Sequence, residues 1–308
     1  MSASTHWPAK RRVTIVGALI NLVLSLAKIL GGAIGQSQAL IADGVHSLSD
    51  LASDGLVLLA ARWGSLDADH NHPYGHARIE TLATMGVGLL LIAVGAGFFI
   101  DSVSRLLSPE RLLVPGWLAL WLALASVLVK EGLYHYTAAV ARKTGSALIL
   151  ANAWHHRSDA LSSLVVIVGI GGALLGIIWL DSVAAAIVGL MLGWVGWRLL
   201  APAAAELVDT GLSNRELSAL ATTIDAVESV HGHDRLRSRR MGGRIFVDVR
   251  VAVAAELSVA AAERIAAEVR RRMIDQLPGH ADVVISLHAA GVEVGRASDP
   301  VPDRGPAE

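Results

Sequence analysis

Two pairs of residues stand out by type and spacing. His46 and Asp50 form one H-x-x-x-D, and His155 and Asp159 form another. On a helix, residues four apart share a face, one turn from each other. Two such helices facing each other would offer two imidazoles and two carboxylates to a single point. Four N/O donors in a tetrahedron suit Zn2+, and Cd2+ and Co2+ fit the same set. Mg2+ and Ca2+ demand more oxygens. The chain has no cysteine, so any metal must sit on His and carboxylate, and disulfides, thiolate zinc sites and Fe–S clusters are excluded. One H-x-x-x-D alone is an ordinary interhelical polar pair. Its recurrence in two separate apolar runs is what points to ligation. His156 projects about 100° away from His155 around a helix and reads as a hydrogen-bonded interhelical residue. Asp43 reads as a cap or polar packing residue, Asp54 as lining the inner path, and Asn21, Lys28 and Asp181 as interhelical or interfacial.

The elements that must hold these pairs are membrane spans. Hydrophobic residues make up 53% of the 308 residues, charged residues 17%, and mean hydropathy is +0.53. Soluble domains carry about 25% charged residues, so this composition argues against a soluble enzyme, a disordered chain or a nucleic-acid binder. A net charge of −1 leaves no basic field to hold phosphates. Apolar runs long enough for the roughly 30 Å hydrocarbon layer start near Val13, Leu40, Thr81, Val114, Gly145 and Ser182, which predicts six spans over residues 13–205. Residues 145–180 exceed one untilted span, and they carry His155, His156, Arg157 and Asp159. Lys10, Arg11 and Arg12 precede an apolar run longer than a signal h-region, with no A-x-A site after it. Residues 1–12 therefore read as a cytoplasmic segment. The basic residues Arg62, Arg78, Arg142 and Lys143 in the second and fourth loops put both termini on the cytoplasmic side, with Arg105 and Arg111 as opposing votes.

After residue 205 the composition changes. Residues 212–227 have helical spacing after a Ser213/Asn214 cap signal, and 244–253 alternate as a strand with Ile245, Val247, Val249 and Val251 on one face. Residues 258–277 read as an amphipathic helix stopped by Pro278-Gly279, with strands near 233–239 and 282–288. The order αββαβ over 206–290 predicts a small α+β domain, with a disordered tail at 291–308. The fold class is thus an α-helical membrane protein of six transmembrane helices plus a small C-terminal α+β domain.

A second cluster lies in the loop after the second span: Asp67, Asp69, His70, His72 and His76. The spacing D-x-x-H-x-x-x-H from Asp69 can hold a metal. It is equally what a solvated loop with chance histidines looks like, because a flexible loop binds weakly without preorganisation.

Three segments resemble the signatures of the cation diffusion facilitator family: A-D-G-V-H-S-L-S-D (42–50), H-P-Y-G-H-A-R-I-E (72–80) and H-H-R-S-D-A-L-S-S (155–163). The resemblance covers about residues 10–290. It implies a homodimer of six-span subunits in the membrane, with a metallochaperone-like cytoplasmic domain, exporting divalent transition metal in exchange for protons. It implies a transport site of His46, Asp50, His155 and Asp159, a donor set that family members usually use for zinc. It further implies a loop site of Asp69, His72 and His76, and a charge interlock between Arg78 and Asp209 at the dimer interface. The C-terminal domain departs from the family pattern. His233 matches a metal ligand there, but Arg250, Arg264 and Ser286 stand where His is usual, and His288 where Asp is usual. Arginine stays protonated and cannot ligate, so the expectation is a weak site on His233 and His288 or none, with dimerisation as the domain's main role.

One set of groups bound alternately by metal and by protons gives antiport, since metal requires neutral His and ionised Asp. The expected cargo is Zn2+, with Cd2+, Co2+, Fe2+ and Mn2+ open, and no resident cofactor. The expected setting is a bacterial inner membrane, with no nucleic-acid partner. Two other readings remain at this point. A metal-dependent membrane hydrolase would need an open coordination position and a general base, yet no H-E-x-x-H occurs and the second and fifth spans lack Glu. A membrane-anchored metal sensor would need tight binding at the C-terminal domain, which the arginines oppose.

Overall fold

The computed structural model describes residues 7–291. The expectations for residues 1–6 and for the tail after 291 lie outside the described residues. Six long helices come first: α1 (Trp7–Ile34), α2 (Gln38–Gly64), α3 (Arg78–Leu107), α4 (Trp117–Thr144), α5 (Ala147–Leu174) and α6 (Leu180–Leu207). Among the described residues, all but α2 are long and apolar enough to cross a membrane. The 27 residues of α2 would reach about 40 Å at 1.5 Å per residue. Asp43, Asp50 and Asp54 lower its hydropathy without shortening it. The over-long fifth run resolves simply, because α5 stops at Leu174 and the chain turns before α6 begins at Leu180. The first helix begins at Trp7, earlier than the apolar run.

The described residues divide into two compact units, one of residues 7–59 with 83–201, the other of residues 60–82 with 202–291. In the first unit, Ala39, Leu40 and Ala42 of α2 share a buried cluster with Ala119 and Ala123 of α4, Val166 and Ile170 of α5, and Ala184, Ala185 and Val188 of α6. Lipid tails are as apolar as leucine, so helix association in a bilayer relies on close backbone approach through small residues. The closest backbone-to-backbone approach between these helices joins α3 to α6. A Cβ added to Gly95 would lie 2.5 Å from the Gly189 carbonyl oxygen and 2.7 Å from the Gly193 nitrogen. A Cβ on Gly196 would lie 2.6 Å from the Gly88 carbonyl oxygen. The N-terminus of α2 is capped from another helix: the Asp181 carboxylate accepts from the Ser37 hydroxyl at 2.6 Å and the Gln38 N–H at 2.7 Å.

The second unit holds α7 (Asn214–Asp225), β1 (Val230–Met241), β2 (Arg244–Val253), α8 (Val259–Gln276) and β3 (Ala281–Ala289), the αββαβ order. The sheet order is β1-β2-β3, with β1 antiparallel and β3 parallel to β2. The alternation read in β2 holds, since Ile245, Val247, Val249, Val251 and Val253 join Leu220, Ile224, Val269 and Met273 of the helices in one core. Ser213 and Glu216 close a capping box on α7. Hydrogen bonds from the Ser213 hydroxyl and N–H hold Glu216 below the usual carboxylate range. The segment 60–82 joins this unit because Ala77 packs with Met241 and Phe246 and Thr81 hydrogen-bonds Glu206.

Because the clash at Gly95 is with backbone on both sides, a side chain there must separate α3 from α6. Overpacking of this kind costs about 1–3 kcal/mol. Gly95→Leu is expected to lower the melting temperature of the detergent-solubilised protein by several degrees, followed by tryptophan fluorescence. Gly97→Leu, where a Cβ meets nothing within 4 Å, is expected to leave it unchanged.

Candidate metal centre

Asp43 of α2 accepts a hydrogen bond from Ser163 of α5, while Asp50 of α2 lies with His155 and Asp159 of α5. Residue numbers therefore rise along α2 as they fall along α5, and the two helices run antiparallel. Their four-residue spacings then converge on one level. Asp50, His155 and Asp159 each offer a ligand atom within 4.8 Å of the others. His46 sits one turn away along α2, with Nδ1 3.7 Å from Asp50 Oδ2. That nitrogen is buried and has no hydrogen-bond partner. A buried polar atom without a partner costs about 1–3 kcal/mol, so its position beside a carboxylate suits a cation placed between them. The structure thus brings three of the four expected donors together and sets the fourth against one of them. A cavity of about 70 Å³ adjoins the cluster and is lined by Asp50, Asp54, His155, His156 and Asp159, among others. His156 is buried and turns its Nε2 to Asn152 of its own helix, at 3.5 Å.

Lys28, read from the sequence as interhelical or interfacial, makes interhelical contacts, whereas sequence reasoning missed Lys130. Lys28 of α1 pairs with Asp43 at 2.8 Å, which gives Asp43 its packing role. Lys130 of α4 reaches Asp159 Oδ2 at 3.4 Å and the Ser47 hydroxyl at 3.1 Å. Both lysines are 1% exposed. A lone lysine in an apolar run has no periodic signal, and only the tertiary structure supplies its carboxylate.

The loop cluster is preorganised. Asp69 Oδ1 accepts from the backbone N–H groups of His72 at 2.7 Å and Asn71 at 2.9 Å. These bonds, the His72 backbone bond foremost, hold Asp69 below the usual carboxylate range. Asp69 Oδ2 faces His76 Nε2 at 3.3 Å. His76 Nδ1 lies 3.2 Å from the Asp67 carbonyl oxygen. A carbonyl can only accept, so Nδ1 carries the proton in neutral His76 and Nε2 is bare. Two acceptors then face each other across a distance that a cation would fill. His72 completes the group, its ring 4.3 Å from that of His76.

The C-terminal histidines are not brought into any three-donor group among the described residues. His233 pairs with Asp225 at 2.7 Å. His288 faces Asp234 at 3.8 Å, and Arg250 takes the same carboxylate at 3.3 Å. An arginine thus holds the acidic group a metal would need. Arg78 and Asp209 meet at 2.5 Å, with Asp209 in the left-handed region at φ 59°, a conformation that aspartate tolerates better than most residues.

The family model for the cation efflux transmembrane domain matches residues 14–208, and that for the cytoplasmic domain of cation efflux proteins matches residues 212–288. The chain belongs to the cation efflux family, the cation diffusion facilitators. It is 37% identical over 289 residues to metal tolerance protein C1 of Arabidopsis thaliana, covering 89% of this chain and 61% of that protein. It is 31% identical over 264 residues to the manganese efflux system protein MneS of Bacillus subtilis, covering 84% of this chain and 90% of that one. It is 30% identical over 275 residues to the magnetosome protein MamB of Magnetospirillum gryphiswaldense, covering 89% and 92%. As a cation efflux protein the chain is a multi-pass membrane transporter and not an enzyme, which removes the hydrolase reading.

The loop geometry of this cation efflux protein gives a direct test. Partners one shell out from a metal are worth about 10–100-fold in affinity, and a donor itself should be worth no less. Asp69→Ala is expected to weaken the loop site by at least about tenfold, read by isothermal titration of the full chain with Zn2+ at pH 7. Because the folded carboxyl is depressed, Asp69 is ionised at and above the ordinary carboxylate range. Lowering the pH should therefore not weaken the site by protonating Asp69 until the pH falls below the ordinary carboxylate range.

Proposed function

We propose that this protein exports divalent transition metal, Zn2+ foremost, in exchange for protons. Alternating access would expose His46, Asp50, His155 and Asp159 to each side in turn. The single observation that carries the reading is the convergence of Asp50, His155 and Asp159 within 4.8 Å on helices of membrane-spanning length. Charged groups at that depth are costly, by about 2.5–3.5 kcal/mol each on insertion scales, and typically mark ion pathways. The donors explain the coupling. Metal needs ionised Asp and neutral His, and protons need the same lone pairs, so the two cargoes exclude each other.

In this reading Asp69, His72 and His76 form a cytoplasmic site that takes up metal before transport, and both termini are cytoplasmic. The second unit dimerises through its apolar faces, and the Arg78–Asp209 pair locks that interface. His233 and His288 bind metal weakly or not at all, since Arg250 occupies Asp234. The segments 1–12, 13–205, 206–290 and 291–308 are then cytoplasmic segment, transport domain, dimerisation domain and tail. The membrane would be a bacterial inner membrane. Manganese is the competing cargo, because a relative 31% identical is named for manganese efflux. The intramembrane imidazoles favour zinc, since carboxylate, carbonyl and water suit Mn2+ better.

Purified protein in sealed vesicles with an imposed proton gradient is expected to accumulate Zn2+ faster than Mn2+. Asp159→Ala should reduce the flux to that of protein-free vesicles while leaving the dimer intact by size-exclusion chromatography. Normal flux in that variant would overturn the transport site. Faster Mn2+ flux in the wild type would overturn the metal assignment alone.

A further inference from the structure

The transport-site carboxylate already has a cation. Asp159 divides its two oxygens: Oδ1 faces His155 Nε2 at 4.0 Å, and Oδ2 takes the Lys130 ammonium at 3.4 Å. Lys130 is 1% exposed and has one other polar neighbour at hydrogen-bond distance, the Ser47 hydroxyl. Lys28, equally buried, differs in kind. It is held by Asp43 at 2.8 Å, with Ser47 and Ser163 hydroxyls at 3.4 Å, and Ser163 also donates to Asp43. That pair uses no expected ligand, since Lys28 takes Asp43 Oδ2 and leaves Asp43 Oδ1 without a hydrogen-bond partner. The Lys130 contact is longer, less supported, and directed at a metal ligand.

We propose that Lys130 is a tethered counter-cation of the transport site, which a metal must displace from Asp159 in order to bind; the proposal rests on the reading of Asp159 as a ligand. Two consequences follow from charge alone. An ammonium beside the site repels the incoming metal, so Lys130 weakens binding and speeds release. Charges a few ångströms apart at an effective dielectric of about 20 interact strongly enough to change affinity by at least about tenfold. A tethered cation also competes at high effective concentration. A monovalent ion carries no more charge than the ammonium and gains little by replacing it, whereas a divalent ion does. Lys130 thereby acts as a valence filter, admitting divalent cations to a site whose carboxylates would otherwise attract abundant Na+ and K+.

The test uses the full chain with the loop site removed by Asp69→Ala, His72→Ala and His76→Ala together, titrated with Zn2+ in detergent with and without about 150 mM NaCl, near physiological ionic strength. Lys130→Met is expected to tighten Zn2+ binding by at least about tenfold in low salt and to make that binding sensitive to Na+. Lys130→Arg, which keeps the charge, is expected to bind as the parent does. In vesicles, Lys130→Met should lower KM and maximal flux together, because release becomes slow. A lesion of packing alone would lower flux without lowering KM. Unchanged or weaker Zn2+ binding in Lys130→Met overturns the proposal, as does Lys130→Arg binding as tightly as Lys130→Met. Should the Met variant not fold, Lys130→Gln carries the same expectations. Asp159→Asn separates the two readings: if it leaves Zn2+ binding intact, the transport site itself is wrong. If it abolishes binding while Lys130→Met changes nothing, the lysine proposal alone fails.

Discussion

A charge buried among apolar helices must find an opposite charge, and the first unit is arranged around that requirement. Water cannot screen it, and each unpaired ion would cost several kcal/mol even after relaxation. Around the Ser47 hydroxyl stand two ammoniums, Lys28 and Lys130, and three carboxylates, Asp43, Asp50 and Asp159. Lys28 answers Asp43, and Lys130 answers Asp159. Asp50 is left with no lysine, and its neighbours are imidazoles: His46 at 3.7 Å and His155 within the three-donor group. Asp50 is thus the one of the three carboxylates without a lysine contact, and it lies in the group with His155 and Asp159. A centre with this inventory has room in its charge balance for one further cation, and its imidazoles and carboxylates are groups that could ligate one.

The scaffold fixes how the helices that carry these residues pack. The backbones of α3 and α6 approach so closely at Gly88, Gly95, Gly189 and Gly196 that no side chain fits between them. Asp181, at the start of α6, caps α2 by accepting from Ser37 and Gln38. A cap is worth about 0.5–2 kcal/mol, little against the whole fold. Its placement matters more than its size, because α2 carries His46 and Asp50 and is the least apolar of the six helices. A helix that pays for three aspartates needs its end fixed by something other than hydropathy, and the buried Asp181 supplies it.

The order of elements was legible because each rested on periodicity. Apolar runs marked the spans, alternation marked β2, and Ser213 and Pro278-Gly279 marked helix ends. The proximity within the two H-x-x-x-D pairs was legible because a four-residue spacing is a helical distance in itself. The fifth span's end was not, since Leu175 to Trp179 is as apolar as the helix around it and only the turn before Leu180 breaks it. Lys130 was illegible for a deeper reason. Its partner Asp159 lies 29 residues away on another helix, and no local pattern encodes a contact of that kind. The arginines of the C-terminal domain were the opposite case: Arg250 was suspect by type alone, and its hold on Asp234 gives that suspicion a geometry.

The two donor groups of this chain bear the same chemistry in opposite surroundings. Asp69 and His72 are about half exposed, and the carboxylate is stabilised by two backbone N–H groups that act whether or not metal is present. Water screens that group, so a metal there would enter and leave at little electrostatic cost. The group at Asp50 and Asp159 has no such screening, and each change of charge there is felt by Lys130, Lys28 and the imidazoles together. A screened site suits capture from solution. An unscreened one suits exchange, because a second cation cannot be accommodated until the first has gone. Should both groups take metal as proposed, that difference in dielectric, more than any difference in ligand identity, would separate a site that collects a cation from one that can be made to trade it.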